Sequence, residues 1–171
     1  MLFLDNVVVD DNFYNKWETA CHSPPIHQPN SIRQKWEIEA FEHTRPLLQA
    51  FLEADLRVAF ASRTEEPSWM HEAIKIFQVD DQGRCLADYA HACEIYPTSK
   101  DKHFKALARK LDVGFEEMLF FYDERRNIHD VSRLGVVSVH CEDGISLAAL
   151  KQGLRRFRER AAKAASDTPQ L

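Results

Sequence analysis

Short apolar runs alternate with stretches of helical period along most of this chain. The first run, MLFLDNVVVDD (1–11), is a strand pattern ending in carboxylates, with Asp5 or Asp10 and Asp11 behind it. Trp36 to Glu53 has helical period through Ile38, Phe41, Leu48 and Phe51, and Pro46 starts or kinks part of it. LRVAFAS (56–62) reads as a strand, and EPSWMHEAIKIF (66–77) as a helix with Pro67 near its start. CLADYAHACEIY (85–96) is ambiguous, with a strand expected near its end. SKDKHFKALARKL (99–111) is an amphipathic helix with Ser99 as N-cap and Phe104, Leu107, Ala108 and Leu111 on one face. EMLFFY (117–122) is a buried strand, RNIHDVSRL (126–134) a short helix and GVVSVHC (135–141) another strand. The last helix begins near Ser146 and carries a stripe of Leu147, Leu150, Leu154 and Phe157.

Strands alternating with helices predict βαβ units: an α/β fold with a mostly parallel sheet covered on both faces. No repeat, low-complexity block or linker divides the 171 residues, so a single domain, 1–171, is expected. Residues 12–34 are polar and contain Pro24, Pro25 and Pro29, the pattern of a long loop or small cap, and 162–171 read as a flexible tail.

Composition narrows the classes of function. The net charge of −5 argues against a nucleic-acid partner, because no basic excess is available to displace phosphate counterions. No apolar run is long enough to span a membrane, and no basic-then-apolar leader opens the chain, so a cytoplasmic protein without a membrane partner is expected. Cys21, Cys85, Cys93 and Cys141 lack CxxC spacing and are expected as free thiols. Cys21, His22 and His27 lie close in sequence, but no second ligand pair accompanies them to make a zinc site.

Parallel sheets of this kind bind ligands beyond the carboxyl ends of their strands, so the residues following each run are the candidates. Ser62 and Arg63 follow LRVAFA; they could hydrogen-bond phosphate oxygens, or Ser62 and Thr64 could cap the next helix. Lys100 stands at the positive end of a helix dipole, where a cation is unfavourable unless an anion shares the site. The alternative is a solvent-facing lysine offset by Asp101. Asp123 leaves an aromatic strand as a magnesium ligand or as a cap for the helix near Arg126. Arg155, Arg156, Arg158 and Arg160 read as the solvated face of the last helix.

VAFASRTEEP, EIYPTSKDKHF and MLFFYDERRNIHDVSRLGVVSVHCEDGISLAALKQGL closely resemble the magnesium-dependent phosphatases of the haloacid dehalogenase (HAD) superfamily, over Leu56 to Phe157. The resemblance implies a Rossmann-like, three-layer α/β sandwich with a minimal cap, Mg²⁺ as cofactor, and phosphoryl transfer through an aspartyl-phosphate. Ser62 matches the phosphate-binding hydroxyl of the second motif, with Arg63 behind it, and Lys100 matches the lysine of the third. Asp123 falls in the fourth motif, where two adjacent aspartates usually precede E-x-R-N and Tyr122 replaces the first.

The first motif, DxDxT, supplies the nucleophile and the general acid/base, and no D-x-D occurs in this chain. Aligning SPPI with the family's Pro-Pro puts Val8 at the nucleophile and Asp10 at the acid/base, where Asp10 would also meet the metal. Taking LFLD as the strand puts Asp5 at the nucleophile and Val7 at the acid/base, and a third register gives Phe3 and Asp5. Loss of the acid/base slows such a reaction by about 10²–10⁴-fold. Three readings follow: a divergent phosphatase using Asp5 or Asp10 with Asp123, a scaffold turned to isomerase, cyclase or lyase chemistry, or a non-catalytic pseudophosphatase. All three bind a small anionic or phosphorylated molecule through Ser62, Arg63 and Lys100.

Overall fold

A computed structural model describes residues 2–4, 44–142 and 144–166. Five strands, β1 (Leu2–Leu4), β2 (Val58–Ser62), β3 (Ala90–Ile95), β4 (Leu119–Tyr122) and β5 (Val137–His140), form one parallel sheet in the order β3-β2-β1-β4-β5. The helices are α1 (Thr44–Glu53), α2 (Pro67–Ile76), α3 (Leu86–Tyr89), α4 (Lys100–Leu111), α5 (Arg125–Ser132) and α6 (Leu147–Ser166). The ambiguous 85–96 segment resolves into the short α3 running directly into β3. The residues read as a cap or loop, 12–34, lie outside the described residues. The stretch read as a tail begins as helix, because α6 continues to Ser166.

The layers follow from the two-residue period of the strands. In β2, Val58 and Phe60 face one side and Ala59 and Ala61 the other; in β4, Leu119 and Phe121 oppose Phe120. One face packs with Leu47, Leu48 and Phe51 of α1, Met70 and Ile74 of α2, and Leu150 and Phe157 of α6. The other packs with Phe104 and Leu107 of α4 and Val131 of α5. Ala59 and Ala61 leave room on that second face, where Phe104 and Phe120 meet edge to face at 4.8 Å. A sheet buried on both faces needs continuous apolar strands, which is why VAFAS and LFFY carry no polar alternation.

Two readings of the last helix change. Leu147 and Leu154 are exposed, and the buried line runs through Ala149, Leu150, Gly153 and Phe157. Gly153 is what permits this rotation: a Cβ there would stand 2.9 Å from Leu119 Cδ1 and 3.1 Å from Phe121 Cζ. The arginines are also not uniformly solvated. Val137 and Cys141 donate their N–H groups to the carbonyls of Met118, just before β4, and Tyr122, so the intervening Ser138 carbonyl faces out from the sheet edge. Arg156 donates to that carbonyl at 3.2 Å, and Arg160 donates to the carbonyls of Gly135 and Glu116. On the opposite edge, Lys110 donates to the Cys93 carbonyl at 3.4 Å. Such cations blunt the open edges of the sheet against pairing with another strand.

Candidate active site

The direction in which strands are added reverses at β1: β2 and β3 build outward on one side, β4 and β5 on the other. Crossovers therefore diverge beside β1, opening the crevice at the strand carboxyl ends where doubly wound sheets bind ligands. The end of β2 supplies Ser62 and Arg63, the end of β4 supplies Tyr122 and Asp123, and the β3–α4 connection supplies Lys100.

Lys100 is the most heavily constrained of these residues. It is 1% exposed, which rules against the solvent-facing alternative. Its ammonium donates to the Ala61 carbonyl and lies 4.4 Å from the centroid of the Tyr122 ring. Burial pushes its pKa well below the usual lysine value, opposed by the charges of Asp123 and Glu124. Tyr122 reaches this place through strand alternation: it follows Phe120 by two residues and stacks on it at 5.5 Å, on the α4 side of the sheet.

Ser99 occupies the N-cap position of α4 without a side-chain cap bond to the helix. Its hydroxyl serves Asp101 instead, whose carboxyl that bond holds below the usual range.

Arg63 donates to Asn127 Oδ1 at 3.0 Å and lies 3.7 Å from Glu124 Oε2; Asn127 in turn donates to that same Glu124 oxygen at 2.5 Å. This chain ties the β2 end to the start of α5. Asn127, 2% exposed, lies at the candidate site, although no chemistry of its own had suggested it. The E-x-R-N spacing after Asp123 was the available signal, since it puts Glu124 and Asn127 one helical turn apart. Ser62 Oγ accepts from the Thr64 N–H at 3.4 Å, and Thr64 Oγ1 accepts from the Glu66 N–H at 3.1 Å. The hydroxyls thus shape the turn into α2, although the α2 N-cap itself is Glu66. From the β5 side, His140 Nε2 lies 2.6 Å from the Asp123 carbonyl and Cys141 N–H donates to Tyr122 O at 2.8 Å. A carbonyl only accepts, so the imidazole is the donor. Cys141 beside them is a buried thiol pushed up to about 11, first by burial and then by the Asp123 charge.

Of the sequence candidates, Ser62, Arg63, Lys100 and Asp123 gather at one end of the sheet. Asp5 and Asp10 lie outside the described residues, as do Val8 and the Cys21, His22 and His27 group. Phe3 is internal to β1, paired with Ala59 and Phe120. Magnesium prefers carboxylate and water oxygens, commonly one or two carboxylates at a site. Among the described residues no group of three His, Cys, Asp or Glu side chains could hold a metal; two carboxylates follow β4, Asp123 and Glu124, and Glu124 is engaged by Arg63 and Asn127.

A parallel doubly wound sheet with hydroxyl, arginine, lysine and aspartate on successive strand ends defines a HAD-type phosphatase fold. Solved structures share that fold: a HAD family enzyme of Bacteroides thetaiotaomicron, an aspartate-to-alanine mutant in complex with magnesium and inorganic phosphate, superposes with a TM-score of 0.53 at 18% identity, over 65% of this chain and 58% of that one. An uncharacterized protein from Corynebacterium glutamicum gives 0.54 at 12% identity, over 92% and 93% of the two chains. The Acid Phosphatase family model matches residues 5–160, and the chain belongs to that family. Magnesium-dependent phosphatase 1 of Homo sapiens is 33% identical over 153 residues, 87% of this chain and 83% of the relative. A HAD-like hydrolase superfamily protein of Schizosaccharomyces pombe is 29% identical over 140 residues, 75% and 81% of the two chains. No helix among the described residues is long and apolar enough to cross a membrane.

Proposed function

We propose that this chain binds a phosphorylated small molecule at the strand ends and that its aspartyl-phosphate chemistry is impaired. The observation carrying this reading is the Tyr122 ring over the buried Lys100 ammonium, at the position where the family pattern has an aspartate. An aromatic ring attracts the ammonium through its quadrupole but offers no anionic oxygen to a metal. Lys100, Arg63 and Ser62 keep the donors that a phosphate dianion needs.

Among the registers for the first motif, the one with Asp5 as nucleophile is favoured. β1 (Leu2–Leu4) is the strand of the LFLD reading, and Asp5 is the residue that follows it in the sequence. In that register Asp5 attacks phosphorus, the P–O bond to the leaving group breaks, and Lys100 stabilises the phosphoryl charge. Val7 then stands where the acid/base belongs, so the departing oxygen leaves without a positioned proton. Asp123 and Asp5 would hold the magnesium ion, which when bound neutralises charge on the transferring phosphoryl group.

Hydrolysis of an aryl phosphate with Mg²⁺ tests this reading. The wild type should turn over far below about 1 s⁻¹, the low end of ordinary enzymes. Val7→Asp should raise the rate by about 10²-fold or more, the worth of a general acid/base. Tyr122→Asp should tighten the Mg²⁺ dependence. Wild-type turnover in the ordinary range, abolished by Asp5→Asn, would overturn the impairment. Absence of phosphate binding by calorimetry would overturn the anion site.

A further inference from the structure

The geometry points to His103 as the residue that positions Lys100 for its anion, an inference resting on the anion site proposed above. Lys100 opens α4, and His103 lies one helical turn further on, fully buried. The ring stands edge-on to Tyr96 at 4.6 Å, with Nε2 3.0 Å from the Tyr96 carbonyl. That carbonyl can only accept, so Nε2 carries the hydrogen and donates. Tyr96 follows β3 directly and donates its own N–H to the Ser62 carbonyl at 3.1 Å. Lys100 meanwhile donates to the carbonyl of Ala61, the residue before Ser62.

These bonds close a ring. The last two carbonyls of β2 are held by Lys100 and by Tyr96, and His103 returns the Tyr96 peptide to the helix that carries Lys100. The connection Tyr96–Ser99 is thereby fixed at both ends, although Ser99 makes no side-chain cap bond to α4. A leucine or phenylalanine would fill the same buried space without a donor. Packing alone therefore does not require histidine here. Its Nδ1 has no hydrogen-bond partner among the described residues, so the Nε2 bond is the polar function of the ring. Burial first, and then the nearby Lys100 charge, keeps the imidazole neutral, so it adds no second cation behind the ammonium.

The test compares wild type, Lys100→Ala, His103→Leu and His103→Gln, titrating orthophosphate by calorimetry and following amide exchange of Tyr96 and of the first turn of α4. Glutamine carries an amide donor at a reach similar to that of Nε2; leucine does not. His103→Leu should weaken phosphate binding about fivefold, the worth of one hydrogen bond, and speed exchange at Tyr96. His103→Gln should restore both. A purely structural role would lower the melting temperature of His103→Leu and leave phosphate affinity unchanged, which overturns the inference. Unchanged Tyr96 exchange in His103→Leu also overturns it, whether or not phosphate binds. If wild type and Lys100→Ala bind phosphate equally, the anion site itself fails, and the positioning of Lys100 for an anion fails with it.

Discussion

Acidification should destabilise this protein through one buried imidazole. His103 is held at about 4, down from 6.5, chiefly by burial and then by the Lys100 charge. The Arg63 charge also lowers it, while the bond to Tyr96 and the Glu94 charge raise it. Because the folded value lies below the unfolded one, the unfolded chain holds a proton that the folded chain lacks between these two pH values. Stability therefore rises with pH across that window. It is unaffected by this group above about 6.5 and fully reduced below about 4. A shift of this size corresponds to about 3 kcal/mol at 1.36 kcal/mol per pH unit, a large share of the 5–15 kcal/mol typical of a domain. Urea unfolding from about pH 7 to about pH 4, in parallel on wild type and His103→Gln, isolates the contribution, since the other titrating groups are common to both. The stability difference between the two proteins should move by about 3 kcal/mol across the window in favour of the variant. A flat difference, or an imidazole NMR titration with its midpoint near 6.5, would refute the reasoning.

Two further outcomes concern the scaffold. Gly153→Ala gains up to about 1 kcal/mol of helix propensity but forces a methyl against Leu119 and Phe121, an overpacking that costs about 1–3 kcal/mol. Net destabilisation of about 1 kcal/mol is expected by urea unfolding, and a stabilised variant would show that the two core side chains move aside. Asp80 precedes β3 at the end of the sheet opposite the site and accepts from Gln82 N–H, Arg84 N–H, Arg84 Nε and the Tyr89 hydroxyl. Burial pushes its carboxyl up, but these bonds outweigh that and hold it at about 2. Its contribution is present above 3.8 and lost as pH falls through about 2. Asp80→Asn should lower the melting temperature without changing orthophosphate affinity.

The order of strands and helices was legible because a buried parallel strand writes itself as an apolar run and a covering helix as a 3.6-residue period. The same logic failed on α6, where counting leucines chose Leu147 and Leu154, yet Gly153 marks the side that touches the sheet. Large residues signal burial poorly where backbone and strand must approach closely. RRFRER looked like a solvated run because nothing local shows that Arg156 and Arg160 reach backbone carbonyls from Glu116 to Ser138. Asn127 and His103 were silent for a related reason: the bonds of a buried amide or imidazole to Arg63 and to the Tyr96 carbonyl depend on partners that the local pattern does not name.

Sequence by itself determined the α/β class and the family, together with the residue types Ser62, Arg63, Lys100 and Asp123. It also shows that no D-x-D occurs in the chain and that Tyr122 stands before Asp123, since a residue type is visible without coordinates. Tertiary structure decided what those residues do to one another. Lys100 and the carbonyl it holds are separated by 39 positions, and Arg63 and Asn127 by 64. A periodicity specifies which face of an element is buried, a property of a few neighbouring residues. The meeting of an ammonium, an aromatic ring and a strand-end carbonyl depends on the order in which distant strands pair, which only the folded sheet fixes.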